Sequence, residues 1–405
     1  MRRLAVLSLH TSPLVQPGAG DSGGMNVYVR ELVASLAQAG VPSDVYTRRW
    51  SPHLPEVVEV EPGFRVIHVP AGAPELPKED LADVTEAFAD GVRARLAPDV
   101  DVLHANYWLS GVAGHLLKHQ LDLPLVSTFH TLARVKAESG LPGEPERRAH
   151  AEAEVIGCSD AILASCPAEA RELERLYGAD PRRIEIVAPG VDHAFFSPGP
   201  RAGARAALGH LQLGDGPVLL FVGRIQPLKS LDVAVRALAQ LDDERAVLVV
   251  VGGASGADGQ REVERIDKLV AELGLTDRVR FADPQPHHLL STYYRAADVV
   301  VVPSRSESFG LVALEAAACG TPVVAAAVGG LRTLVVDGIT GFLVDGRDPA
   351  AYAARITRIL DDPALATDMS RAAAVGACQY TWSTAAARLR RLYADISARA
   401  LVECA

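Results

Sequence analysis

The chain has 405 residues, 49% of them hydrophobic and 22% charged, which excludes a disordered polymer and leaves room for two or three domains. Lys plus Arg number 40 against 50 Asp plus Glu, a formal charge of −10, so no basic excess draws in nucleic acid or an anionic membrane and any anion site must be local. The five cysteines (Cys158, Cys166, Cys319, Cys378 and Cys404) are odd in number and no two lie two residues apart, which argues against a disulfide framework or a cysteine-based zinc site and for a reduced, cytoplasmic setting.

Met1-Arg2-Arg3 with Leu4–Leu9 is too short for a signal peptide, and no apolar run approaches the ~20 residues of a membrane span. Leu4–Leu9 reads instead as a strand. Met25–Gln38 reads as a helix, with Val27, Leu32, Val33 and Leu36 at helical spacing and Gly40 as its stop. Strands follow at Ser43–Thr47, Arg65–Val69, Val100–His104, Leu125–Phe129, Ala161–Ala164 and Ile184–Val187. Ser197-Pro198-Gly199-Pro200 marks a linker. A second series runs Val218–Val222, Ala246–Val251, Val279–Phe281, Val299–Val302, Pro322–Ala325 and Gly341–Val344, and a helix over about Thr384–Ala400 ends it. Alternating βα units predict an α/β protein with two doubly wound parallel sheets: a first domain over 1–198 and a second over 199–383. Ligands of such sheets sit beyond the carboxyl ends of the strands.

Gly18, Gly20 and Gly23 match dinucleotide-binding spacing, but the loop from Thr11 is too long for that tight turn, and the next strand ends in Arg48-Arg49 rather than an acid. What remains is Gly23-Gly24 before a helix, either a chain-reversing turn or backbone that approaches an anion. In the second series Arg224 and Lys229 stand five residues apart after a strand, as two surface cations or as a diphosphate clamp. Glu307 and Glu315 flank the start of a helix near Leu311. A carboxylate can take two vicinal hydroxyls, as in a ribose, and the apolar neighbours of Glu315 predict burial and a partner.

Taken together, Ser-Glu307-Ser308-Phe309-Gly310-Leu311-Val-Ala-Leu-Glu315, Phe-Val-Gly-Arg224-Ile-Gln-Pro-Leu-Lys229 and Gly320-Thr-Pro-Val-Val324 with Gly329-Gly330 resemble the retaining nucleotide-sugar glycosyltransferases of family 4. The resemblance covers nearly the whole chain. It implies the GT-B fold: two Rossmann-like domains facing across a cleft, with the last helix (about 384–405) crossing back to the first domain. Ser-Leu-His10-Thr11 and Gly-Asp-Ser-Gly23-Gly24-Met-Asn26 are similar to the branch that opens mycothiol synthesis, moving N-acetylglucosamine from UDP-GlcNAc onto 1L-myo-inositol 1-phosphate (1D-myo-inositol 3-phosphate). That branch holds the acceptor phosphate with Lys, Tyr, Thr and Arg, matching Lys78, Tyr107, Thr131 and Arg147 here; a shortened segment after Thr131 leaves Arg147 and Arg148 both open.

The resemblance implies donor contacts from Gly23, Gly24, Arg224, Lys229, Gln285, Glu307, Ser308, Phe309, Gly310, Leu311 and Glu315. It implies acceptor contacts from His10, Thr11, Asn26 and the phosphate quartet. Glu315 would take the ribose, Arg224 and Lys229 the diphosphate, Glu307 the transferred sugar and His130 its 6-hydroxyl. Gln285 replaces an arginine common in the family beside the base pocket. The leaving phosphate would accept the acceptor's proton, domain closure would accompany transfer, and no cofactor or metal would be required; Asp99-Val-Asp101 reads as structural. Partners are small molecules, with a homodimer open. The competing readings are a related transferase acting on another sugar phosphate or an aminocyclitol, a UDP-sugar epimerase, and a non-catalytic UDP-sugar-binding protein.

Overall fold

The structure, a computed structural model, describes residues 2–18, 20–140, 145–255 and 259–404; Ala19 of the glycine-rich loop lies outside them. Two compact units form. The first holds the chain up to Val15, Met25–Gly190 and everything from Trp382 onward; the second holds Gln16–Gly24 and Val191–Thr381. The units thus change over at residue 190 rather than at the Pro/Gly stretch near 198, and the Gly23-Gly24 loop packs with the second unit rather than the first.

The first unit carries β1 (Arg3–Leu7), β2 (Ser43–Arg48), β3 (Val57–Glu61), β4 (Phe64–Val69), β5 (Val100–Asn106), β6 (Leu125–Thr128), β7 (Ala161–Ala164) and β8 (Ile184–Ile186). They form one sheet in the order β3-β4-β2-β1-β5-β6-β7-β8. All pairs are parallel except the hairpin β3–β4. Its edge strand reads Val-Val-Glu-Val-Glu and is half-exposed, a polar alternation that suits an unpaired edge and that the apolar-run reading passes over. By contrast Leu4, Ala5, Val45, Val102, Leu103 and Val126 are fully buried, because helices cover both faces of the central strands.

The second unit carries β9 (Val218–Val222), β10 (Val247–Val251), β11 (Val279–Ala282), β12 (Val299–Val302), β13 (Val323–Ala326) and β14 (Gly341–Val344). Its order is β11-β10-β9-β12-β13-β14, all parallel. In each sheet the winding reverses once, between β1 and β5 and between β9 and β12. Loops leaving the two strands at such a reversal part to opposite faces and open a crevice at their carboxyl ends.

The last helix, Trp382–Ser397, packs in the first unit, where Trp382, Ala385, Ala386, Leu389, Tyr393 and Ile396 join a core with Leu4, Val6, Val102 and Val126. The tail after it carries a correction to the cysteine reading. Cys158 and Cys404, 246 residues apart, are joined as a disulfide, because the returning helix delivers Cys404 to the end of the helix Glu146–Cys158. Spacing along the chain does not register a contact made by a returning tail. Asp99 and Asp101 are paired with Arg3 and Arg2, in keeping with a structural role. Among the described residues no helix is long and apolar enough to cross a membrane.

Candidate active site

At the β9/β12 reversal of the second unit, Gly223 turns the chain out of β9 at φ 146°, a value that favours glycine. Arg224 follows. Its Nη1 donates to Ser255 Oγ at 3.1 Å, and Ser255 Oγ donates to the carbonyl of Gly20 at 2.6 Å. The glycine loop lies directly on this arginine: a Cβ on Gly23 would stand 3.1 Å from Arg224 Nε. Gly18 and Gly20 hydrogen-bond with Gly253 and Ala254 beyond β10, which fixes the loop.

Five residues on, the Lys229 ammonium pairs with Glu307 Oε1, which also accepts from Ser304 Oγ at 2.9 Å. The two expected donor ligands therefore hold each other. Glu307–Gly310 is braced from behind by Gly329 and Gly330. The Gly330 amide donates to the Glu307 carbonyl at 2.9 Å, and a Cβ on Gly329 or Gly330 would lie 1.9 Å from the Glu307 oxygen or 2.3 Å from Phe309 Cα. Phe309 is buried against Tyr380, and Gly310 at φ 103° opens the helix Leu311–Ala318; the Ala313 and Leu314 amides return to the Gly310 carbonyl, which leaves those of Leu311 and Val312 ahead of the helical ladder. One turn in, Glu315 is buried as its apolar flanks predict. Its Oε1 accepts from His287 Nε2 and its Oε2 from Tyr294 O–H, each at 2.7 Å. Burial and the Glu315 charge push the Tyr294 phenol well up, so it stays a donor. Gln285 is half-buried after β11 and donates to the Asp283 carbonyl.

The first unit gathers its groups at the β1/β5 reversal. Thr11 leaves β1 buried and accepts from Asn26 Nδ2 at 2.6 Å; the same amide group reaches the Ser12 carbonyl. His10 stacks at 4.4 Å on the Tyr107 ring. Tyr107 and His130 follow β5 and β6 with φ of 74° and 61°, backbone strain at two strand ends that only tertiary packing holds. Lys78 Nζ lies 5.7 Å over the Tyr107 ring and the Arg148 guanidinium 4.9 Å over it. Arg148 Nη2 donates to Thr131 O at 2.8 Å and Oγ1 at 3.1 Å, while its Nε pairs with the fully buried Glu152. Arg147 turns the other way and pairs with Asp83 at the surface. The arginine that joins Tyr107 and Thr131 is thus Arg148, not Arg147. His130 Nε2 meets Asn106 Oδ1 at 2.8 Å; desolvation, then the neighbouring His104, push its imidazole down to about 3, so it is neutral. An amide oxygen only accepts, so Nε2 carries the hydrogen and Nδ1 is an acceptor.

Known proteins resemble the chain along nearly its whole length. Residues 23–190 match the glycosyl transferase 4-like domain family, and residues 209–375 match glycosyl transferases group 1. The D-inositol 3-phosphate glycosyltransferase of Streptosporangium roseum is 48% identical, with 98% of this chain and 94% of the relative covered. That of Xylanimonas cellulosilytica is 49% identical, with 98% and 97% covered. The chain belongs to the D-inositol 3-phosphate glycosyltransferase family. Among solved structures, sucrose-phosphate synthase from Thermosynechococcus elongatus is 36% identical with a TM-score of 0.91, covering 98% of this chain and 99% of that one. Anabaena HepE in complex with UDP-glucose, 19% identical with a TM-score of 0.78 and 98% of this chain covered, shares the fold. The chain is a glycosyltransferase of GT-B architecture.

Within that family frame, His287, Tyr294, Ser255, Ser304, Asn106 and Glu152 join the site without belonging to any of the motifs. Only Glu152 had a signal. Arg148, Glu152 and Val155 fall at i, i+4 and i+7, one face of a helix, and that periodicity selects Arg148 over Arg147. The partners of Glu315 come from another helix, and no local pattern names them.

Proposed function

We propose that this glycosyltransferase moves N-acetylglucosamine from UDP-GlcNAc to 1L-myo-inositol 1-phosphate with retention at the anomeric carbon, the first step of mycothiol synthesis, in the cytoplasm. The observation that carries the acceptor assignment is the convergence of Lys78, Arg148, Thr131 and Tyr107, two cations and two hydroxyls from separate segments around one ring. A phosphomonoester needs that set, because a guanidinium fork and an ammonium neutralise it while hydroxyls fix its oxygens. His10, Thr11 and Asn26 beside it would meet the cyclitol hydroxyls.

On the second unit, Arg224 and Lys229 would take the diphosphate, helped by the Gly23-Gly24 backbone and the Leu311 and Val312 amides at the start of Leu311–Ala318. Phosphate binding would draw Lys229 from Glu307 and release that carboxylate to the transferred sugar, with Ser308, Phe309 and Gly310 supplying backbone. Glu315 keeps acceptor capacity for the ribose beyond its bonds to His287 and Tyr294, and Gln285 stands by the base. His130 Nδ1 would accept from the 6-hydroxyl. In the step itself the anomeric carbon–phosphate oxygen bond breaks and a bond to the acceptor oxygen forms on the same face. The acceptor's proton passes to the departing phosphate oxygen, and the clamp stabilises the charge growing there. No protein base and no metal take part. Three free cysteines, Cys166, Cys319 and Cys378, support a reducing compartment.

The test is UDP release with inositol phosphate, myo-inositol, a hexose phosphate and no acceptor. The expected result is release with inositol phosphate and little with myo-inositol. Equal use of both overturns the phosphate assignment, and a product isomer from donor alone would mark an epimerase. The likeness to sucrose-phosphate synthase favours a hexose phosphate as the second acceptor to weigh, and the same panel decides it.

A further inference from the structure

Outside the proposed site the first unit gathers a second set of chemistry-bearing side chains. His115 and His119 lie four residues apart on one face of the helix Trp108–Leu121, with ring centroids 4.8 Å apart. Cys158 ends the helix Glu146–Cys158, and Cys404 arrives from the tail after Trp382–Ser397. One ligand atom from each of the four lies within 4.8 Å of every other, and Cys404 Sγ stands 3.2 Å from His119 Nε2. His115 Nδ1 is buried and, among the described residues, has no hydrogen-bond partner. The rest of the cluster is anchored independently. Lys118 Nζ, on the same helix, donates to the Cys158 carbonyl at 2.7 Å and to Asp160 at 2.8 Å. The Val402 amide donates to the other Asp160 oxygen at 2.7 Å, so the tail is positioned without help from sulfur.

We infer that, when its two cysteines are thiols, this cluster is a Cys2His2 site for one zinc ion, built from His115, His119, Cys158 and Cys404. With Zn–S near 2.3 Å and Zn–N near 2.0–2.1 Å, tetrahedral ligand atoms stand about 3.3–3.8 Å apart, a separation inside the 4.8 Å spread of this cluster and open to the two sulfurs once reduction lets them part. Two thiolates and two imidazoles are the donor set that selects zinc over hard cations, and His at i and i+4 is the spacing that puts both nitrogens on one ion. The disulfide and the metal are alternative states of the same two sulfurs, and the inference concerns the reduced one.

The position gives the ion a structural task. The helix Trp108–Leu121 begins beside Tyr107 and the helix Glu146–Cys158 carries Arg148 in its first turn, so an ion at their far ends braces both supports of the phosphate quartet. The two helices already touch closely at Gly111, where a Cβ would stand 2.9 Å from Val155. The ion would touch no reacting atom.

The test uses the full chain, reduced anaerobically with a phosphine, freed of metal with a chelator and titrated with Co2+. The expected result is one equivalent of cobalt giving intense tetrahedral visible bands and a thiolate-to-cobalt band in the near ultraviolet, both removed by one equivalent of Zn2+. Cys404→Ser should halve the thiolate band, and His115→Ala and His119→Ala should each weaken zinc binding at least 100-fold, with circular dichroism showing that the variants fold. A reduced chain with no thiolate band, bands unchanged in both histidine variants, or a Cys158–Cys404 pair that resists reduction in the folded chain would each overturn the inference.

Discussion

Arg147 and Arg148 are adjacent in sequence and opposite in environment. Arg147 pairs at the surface with Asp83, a contact worth no more than about 1 kcal/mol, so Arg147→Ala should leave turnover and the acceptor KM within about twofold. Arg148 is buried, with a guanidinium shared among Glu152, Thr131 and the Tyr107 face. Removing it would strand Glu152 at a cost of about 3–5 kcal/mol and confuse folding with binding, so the informative change is Arg148→Lys. A lysine keeps the charge near Glu152 but not the fork, and the acceptor KM should rise at least tenfold while kcat changes less; steady-state kinetics beside a thermal melt checks this. The neighbouring histidines, His104 fully buried and His130 half-buried, set a pH dependence. Burial pushes both His104 and His130 down to about 3 from 6.5, so between those values the unfolded chain binds protons that the native chain does not. Their contribution is complete above pH 6.5 and is lost as pH falls toward 3. Glu169 acts in the opposite sense. Burial raises it from 4.5 to about 7, so its contribution is present below 4.5 and lost as pH rises through 7. In Glu169→Gln this opposing contribution is gone, and the gain in melting temperature from pH 5 to pH 8 should exceed that of the parent; equal gains would show that the carboxyl does not titrate as stated.

The segment Glu307–Gly310, proposed above to hold the donor sugar, owes its position to Gly329 and Gly330 behind it. Gly329 has φ 42°, and a Cβ there would sit 1.9 Å from the Glu307 carbonyl oxygen, so Gly329→Ala must displace the segment that carries Glu307. We expect a folded protein whose affinity for UDP falls at least tenfold, about 1.4 kcal/mol, by titration calorimetry. Gly338→Ala is the control. It too has positive φ, but its Cβ would meet nothing within 4 Å, so it should cost about 1 kcal/mol of stability and leave UDP binding alone. This brace also shows what local sequence discloses. Gly329-Gly330 is visible as a motif, but what it supports becomes visible only when β13 and β12 lie side by side. The buried parallel strands are legible because helices on both faces make them continuous apolar runs, and β9, β12 and β14 fall where their runs predict. β3 is not legible, because an edge strand facing water carries no such run. The partners of Glu315 are implied in kind, since a buried carboxylate needs donors, but His287 and Tyr294 lie together on the stretch His287–Ala296, which nothing in the local sequence links to Glu315.

Chain order and structural membership part company at Trp382–Ser397, the last helix in sequence, which completes the core of the first unit. Tyr393 is fully buried, and its hydroxyl meets His104 Nδ1 at 2.8 Å on β5, one residue before Ala105 and three before the strained Tyr107. His104 Nε2 in turn meets Thr128 on β6, the strand that ends beside His130. The helix therefore reaches the two strand ends that lead to Tyr107 and His130 through one chain of hydrogen bonds, and its apolar face fills the space over β1 and β5. Cutting the chain after Thr381 would uncover Leu4, Val6, Val102 and Val126 and leave His104 buried with one partner gone. The second unit, whose core runs from Leu219 to Met369, loses none of those contacts. The truncated chain should accordingly split its behaviour. The first unit should unfold or melt far below the parent, acceptor-dependent UDP release should vanish, and a UDP-binding, cooperatively melting second unit should survive limited proteolysis. Loss of both units together would mean that the second depends on the helix as well; a truncated chain with the parent's melting profile would mean that the helix adds nothing to the first unit's core.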